Sequence, residues 1–125
     1  MSQRILIIDD DADMRRLLRL TLETAGYEVG EAADGPQALT AFGDGATWDI
    51  VLLDQMMPGI DGLEVLRGIE ARAPTARVIM VTAFASMDLV VEAMKRGATD
   101  FLCKPITPER LAQAVAAALA SRPRG

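Results

Sequence analysis

Four short apolar runs divide this chain, and each stops at a polar residue of a particular kind. Ile5-Leu6-Ile7-Ile8 runs into Asp9-Asp10-Asp11, and Ile50-Val51-Leu52-Leu53 into Asp54. Val78-Ile79-Met80-Val81 runs into Thr82, and Phe101-Leu102-Cys103 into Lys104-Pro105. The runs are nearly continuous rather than alternating, as in strands covered on both faces, and that is the signature of a parallel sheet. A weaker run, Tyr27-Glu28-Val29, is expected as an outer strand.

Helical patterns fill the gaps. One covers about 12–25, with Leu17, Leu18, Thr21, Leu22 and Ala25 on its period and Gly26 as its stop. A second, about 36–42, follows Asp34-Gly35-Pro36. A third, about 62–72, opens at Asp61 with Glu64 three residues on, the spacing of a capping box. A fourth, about 86–96, opens at Ser86 and stops at Gly97. The last, about 108–121, has Thr107 as cap and Pro108 in the first turn. Strand and helix alternate five times, which predicts an α/β doubly wound sheet of five parallel strands with right-handed crossovers and five helices. Residues 1–121 read as one domain, and 122–125 as a tail or linker stub.

Composition removes several classes of function. A net charge of −5, with no basic run, argues against direct nucleic-acid binding. The chain has no histidine, so the commonest general base and histidine-ligated metals are out. With one cysteine, Cys103, an intrachain disulfide cannot form, which is compatible with a reducing compartment and a cytoplasmic location. No apolar stretch approaches the roughly 20 residues of a membrane span, and no leader pattern precedes the first strand.

In open parallel sheets, ligands sit beyond the carboxyl ends of the strands. Asp9, Asp10 and Asp54 meet there if their strands are neighbours. Carboxylates about 4 Å apart repel by about 4 kcal/mol per pair at an effective dielectric of 20, so such a cluster takes up protons or a cation. An all-oxygen site suits Mg²⁺, or Mn²⁺, better than zinc. The plainer reading of Asp9-Asp10-Asp11 is a turn and helix-capping cluster, and Asp11 and Asp13 keep it as first-turn acids. Asp54, ahead of Met57-Pro58-Gly59, stands where its strand must end. A carboxylate neutralised by a metal can act as a nucleophile toward phosphorus. Thr82 could then donate to a phosphoryl oxygen, and Lys104 could pair with another.

Four segments carry a family resemblance: 5–11 (Ile-Leu-Ile-Ile-Asp-Asp-Asp), 52–62 (Leu-Leu-Asp-Gln-Met-Met-Pro-Gly-Ile-Asp-Gly), 80–83 (Met-Val-Thr-Ala) and 97–105 (Gly-Ala-Thr-Asp-Phe-Leu-Cys-Lys-Pro). In this order and spacing the chain resembles the receiver domain of a two-component response regulator. The resemblance implies a flavodoxin-like sheet of strand order 2-1-3-4-5. It implies Asp54 as phosphoacceptor, with Asp10, Asp54 and the Met56 backbone carbonyl as Mg²⁺ ligands and Asp9 acting through water. Thr82 and Lys104 would bind phosphoryl oxygens, Lys104-Pro105 would be a cis peptide, and Thr82 and Phe101 would form the switch. Such a protein is a signalling switch rather than a turnover enzyme. Its phosphoryl donor is a sensor histidine kinase or histidine phosphotransfer protein, its output domain or protein is unknown, and a phosphorylation-dependent homodimer is one option.

The resemblance places kinase docking on the first helix near Met14, Arg15 and Leu18, with Leu18 alternatively in the core. Output would use the face of the fourth helix, fifth strand and fifth helix. There Met87, Val90, Val91 and Met94 are too many for one face to bury. Gln55 departs from the family's usual aliphatic. Met56 and Phe84 put apolar side chains where polar ones help orient water, which predicts slow self-dephosphorylation. Rivals are an unphosphorylated receiver-like adaptor, an Asp-nucleophile phosphatase, which wants an acid where Met56 stands, and a flavodoxin, whose phosphate Asp9-Asp10-Asp11 would repel. The chain is either a stand-alone receiver or part of a longer regulator; its 84–87 and 95–98 segments resemble those of enhancer-binding regulators.

Overall fold

The computed structural model describes residues 3–43, 47–57, 60–73, 75–83 and 86–121, leaving aside the side chains of Met56, Met57, Ile60 and Asp61. Its main sheet has five strands: β1 (Arg4–Ile8), β2 (Glu28–Ala32), β3 (Ile50–Asp54), β4 (Arg77–Thr82) and β5 (Asp100–Cys103). All pair in parallel, in the order β2-β1-β3-β4-β5. The helices are α1 (Ala12–Thr24), α2 (Gly35–Thr40), α3 (Gly62–Arg72), α4 (Met87–Lys95) and α5 (Pro108–Ala120). A two-residue antiparallel ladder, Met56–Met57 against Ile60–Asp61, leads from β3 into α3.

Both faces of the sheet are buried, and alternate residues of each strand serve opposite faces. Ile5, Ile7, Ile50, Leu52, Ile79 and Val81 pack with Leu18 and Leu22 of α1 and with Leu111 and Val115 of α5. Leu6, Ile8, Val51, Leu53, Val78 and Met80 pack with Ala38 of α2, Leu66 and Ile69 of α3, and Ala93 of α4. The near-continuous apolar runs follow directly, since no residue of β3 faces water.

The caps work as their residue types require. Asp11 accepts from the Asp13 and Met14 N–H groups, Asp34 from Gln37, Ser86 from Leu89 and Thr107 from Arg110. Asp11 is therefore the cap of α1 rather than a first-turn acid. Gly26 ends α1 with a φ of 98°, a conformation that costs glycine least. The expected capping box at Asp61 falls on a side chain outside the described set.

The outer strand differs most from expectation. It runs over Glu28–Ala32 and leaves out Tyr27. Only Val29 and Ala32 are buried in it, so hydrophobicity gives little signal and pairing with β1 sets its extent. Gly30 serves a close approach: a Cβ there would lie 2.4 Å from Trp48 Cη2. The Trp48 indole donates to the Ala41 carbonyl and stacks 4.2 Å from the Arg4 guanidinium. Among the described residues, no helix is long and apolar enough to cross a membrane.

Candidate phosphoryl and cation site

Register alone brings the acids together. Ile8 of β1 pairs with Leu53 of β3, so Asp9 and Asp54 leave adjacent strands at one level. Asp54 pairs with Val81 of β4 and Thr82 pairs with Cys103 of β5, which sets Thr82 and Lys104 along the same edge. The seams are closed by backbone bonds beyond the strands: Gln55 N–H donates to Val81 C=O at 2.9 Å, and Lys104 N–H to Thr82 C=O at 2.7 Å.

Carboxylate oxygens of Asp9, Asp10 and Asp54 lie within 4.8 Å of one another. Asp9 and Asp54 are buried, at 2% and 4% exposure, while Asp10 is exposed. The Lys104 ammonium reaches both buried acids, 3.2 Å from Asp9 Oδ2 and 3.6 Å from Asp54 Oδ2. Burial pulls the Lys104 pKa down, Asp54 and then Asp9 push it up by more, and the balance lies above the ordinary lysine value. Among the described residues, one ammonium stands against three carboxylates, which leaves the cluster short of positive charge. Its donors are all oxygen, and its one exposed member opens the cluster to water. That is the chemistry of a hard divalent cation site, and the residues fit Mg²⁺.

The other expected residues fall as follows. Thr82 is fully buried at the end of β4. The Lys104–Pro105 peptide is cis. Phe101 is half-buried, packed against the core beneath α3 and α4. The Met56 backbone lies in the short ladder that begins two residues after the acid, and Phe84 lies outside the described residues. Gln55 is buried, and its main chain and side chain press on Gly62 so closely that a Cβ there would meet Gln55 Cα and Oε1 at 2.7 Å each. Leu18 is core, at 4% exposure, and Met14 is partly buried against the same cluster.

Arg15 is tied into the molecule. Its Nη1–H donates to the Asp9 carbonyl at 2.6 Å and its Nε–H to Glu31 Oε1 at 3.1 Å. Sequence reasoning had no access to this link. Arg15 is expected among the kinase-docking residues of the first helix, and an arginine as the fourth residue of a helix gives no local sign of an inward bond; Glu31 stands on a strand with little pattern of its own.

The family model for the response regulator receiver domain matches residues 5–116. The chain is 39% identical to the chemotaxis protein CheY of Thermotoga maritima, over 92% of this chain and 96% of that protein. It is 41% identical to the transcriptional regulatory protein ResD of Bacillus subtilis over 93% of this chain, and spans about half (48%) of ResD. A CheY-like receiver domain from Methanospirillum hungatei superposes with a TM-score of 0.90 at 31% identity, covering 95% of this chain and 94% of that one. A Burkholderia pseudomallei response regulator, solved with a phosphorylated aspartic acid, a calcium ion and citrate, superposes at 0.85 and 29% identity, covering 96% of this chain and 68% of that one.

Proposed function

The chain belongs to the response regulator receiver domain family, and from that premise we propose that Asp54 accepts a phosphoryl group from a phosphohistidine of a sensor kinase or phosphotransfer protein. The observation that carries this reading is the gathering of Asp9, Asp10 and Asp54 within 4.8 Å, with Lys104 against the two buried acids. A related response regulator has been solved with a phosphorylated aspartic acid and a calcium ion, which supports the same chemistry here.

Asp10, Asp54 and the Met56 backbone carbonyl would hold Mg²⁺ or Mn²⁺, with Asp9 acting through water; when bound, the cation neutralises charge on the acids and on the incoming phosphoryl group. An Asp54 oxygen attacks phosphorus, the P–O bond forms as the P–N bond to the donor imidazole breaks, and the ring leaves. Lys104 and Thr82 bind phosphoryl oxygens, so the chain contributes positioning and charge rather than a general base.

The acyl phosphate adds about one negative charge to the site. Thr82 moves toward it, Phe101 follows, and the surface of α4, β5 and α5 repacks. A bias of a few kcal/mol suffices to shift the population. Met87, Val91 and Met94 are exposed on α4 and are the contacts we assign to output, whether an attached domain, a separate protein or a second copy. On α1, with Leu18 buried, the exposed large apolar residues are Leu17 and Leu20. We read residues 1–121 as the receiver domain and 122–125 as a tail or linker stub, place the protein in the cytoplasm, and expect slow self-dephosphorylation but no turnover of an external substrate.

Incubation with Mg²⁺ and acetyl phosphate tests the assignment. One phosphoryl mass on a peptide containing Asp54, lost in Asp54→Ala and with EDTA, is the expected result. Labelling of Asp54→Ala at the wild-type level overturns it.

A further inference from the structure

We propose that Arg15 is a positioning residue that holds the Asp9–Asp10 peptide ready for a cation, an inference that rests on the cation site read above. Each polar group of Asp9 already has a partner. Its N–H donates to the Ala32 carbonyl at 3.1 Å, Oδ1 accepts from Asp11 N–H at 2.9 Å, Oδ2 faces Lys104 Nζ at 3.2 Å, and its carbonyl accepts from Arg15 at 2.6 Å.

The consequence falls on Asp10. The peptide before it is pinned through the Asp9 carbonyl by Arg15, and the peptide after it through Asp11 N–H by the Asp9 carboxylate. Asp10 is exposed, yet its backbone is set on both sides, so less conformational freedom remains to be lost when its carboxylate takes a ligand.

Arg15 is held in turn. Glu31 accepts from its Nε–H, and Arg19 bonds the other Glu31 oxygen as well as Glu23. Adjacent residues of β2 thus grip Asp9 from two directions: Ala32 directly and Glu31 through Arg15. The charges of Arg15 and Arg19 are matched by Glu31 and Glu23 together, so the effect of Arg15 on the acids is chiefly geometric. A lysine offers a compact ammonium in place of a planar fork and does not reproduce both bonds.

Mg²⁺ titration by calorimetry, alongside thermal unfolding in EDTA, tests the assignment on wild type, Arg15→Gln, Arg15→Lys and Glu31→Gln. We expect Mg²⁺ affinity to fall about tenfold in both Arg15 variants, the low end for loss of an orienting partner, and by less in Glu31→Gln, which keeps an acceptor. Variants that melt earlier yet bind Mg²⁺ as tightly as wild type would make Arg15 a structural residue only and overturn the proposal. Full affinity in Arg15→Lys would also overturn it, since the fork would then be dispensable. A wild type that binds no Mg²⁺ would instead remove the cation site itself, and this inference with it.

Discussion

The Lys104 ammonium lies 3.2 Å from Asp9 Oδ2 across 95 residues of chain. It is the counter-charge that lets an aspartate at 2% exposure stand beside a second buried acid. Lys104→Met should therefore destabilise the protein in EDTA by about 2 kcal/mol, between the values of exposed and buried pairs. Saturating Mg²⁺ should recover part of the loss, because the cation supplies charge to the same oxygens. Urea unfolding in EDTA and in Mg²⁺ measures both, and an equal loss in the two conditions would show that Lys104 acts through packing.

Glu31 predicts the acid side of the stability profile. Hydrogen bonding from Arg19 is the main cause of its lowered pKa; burial opposes the shift and Arg15 adds to it. A depressed folded-state value means stability that is present above the ordinary value of 4.5 and lost as pH falls through the lower, folded value. Glu31→Gln should cost less than about 1 kcal/mol at pH 7, given that the pair is part-exposed. Its urea midpoint should converge with wild type as Glu31 protonates. A gap that persists at the lowest pH would contradict this.

Two glycine substitutions should separate the site from the scaffold. Gly62→Ala drives a Cβ against Gln55 Cα and Oε1, next to Asp54. It should cost about 1–3 kcal/mol and also weaken phosphorylation by acetyl phosphate.

Gly30→Ala drives a Cβ into the ring of Trp48, a residue that precedes β3 at the end away from Asp54. It should shift the fluorescence of the single tryptophan and lower stability, yet leave phosphorylation unchanged once the protein is folded. Impaired phosphorylation in the folded variant would show that the displacement is carried along β2 to Glu31 and Ala32, which hold Arg15 and Asp9.

Met87 and Met94 are 78% and 44% exposed. Replacing both with Gln should leave stability within about 0.5 kcal/mol per site, since neither belongs to the core. A larger loss in chemical denaturation would mean that α4 is buried against another part of the protein in solution.

Local chemistry set much of this molecule. Runs such as Ile50–Leu53 read as strands covered on both faces, Ser86 and Thr107 announced their helices, and a polar residue at the end of each run marked the sheet's functional edge. Those signals live in neighbouring residues, so the sequence alone carried them. The outer strand was not legible to its end, because Gly30 and Glu31 owe their places to Trp48 and Arg15, partners that no local pattern names. Tertiary structure decided which acids are buried, that Lys104 reaches Asp9, and that Arg15 turns inward to the Asp9 carbonyl. Distance along the chain says nothing about such contacts; they follow from strand register and from the need of buried polar groups to find partners.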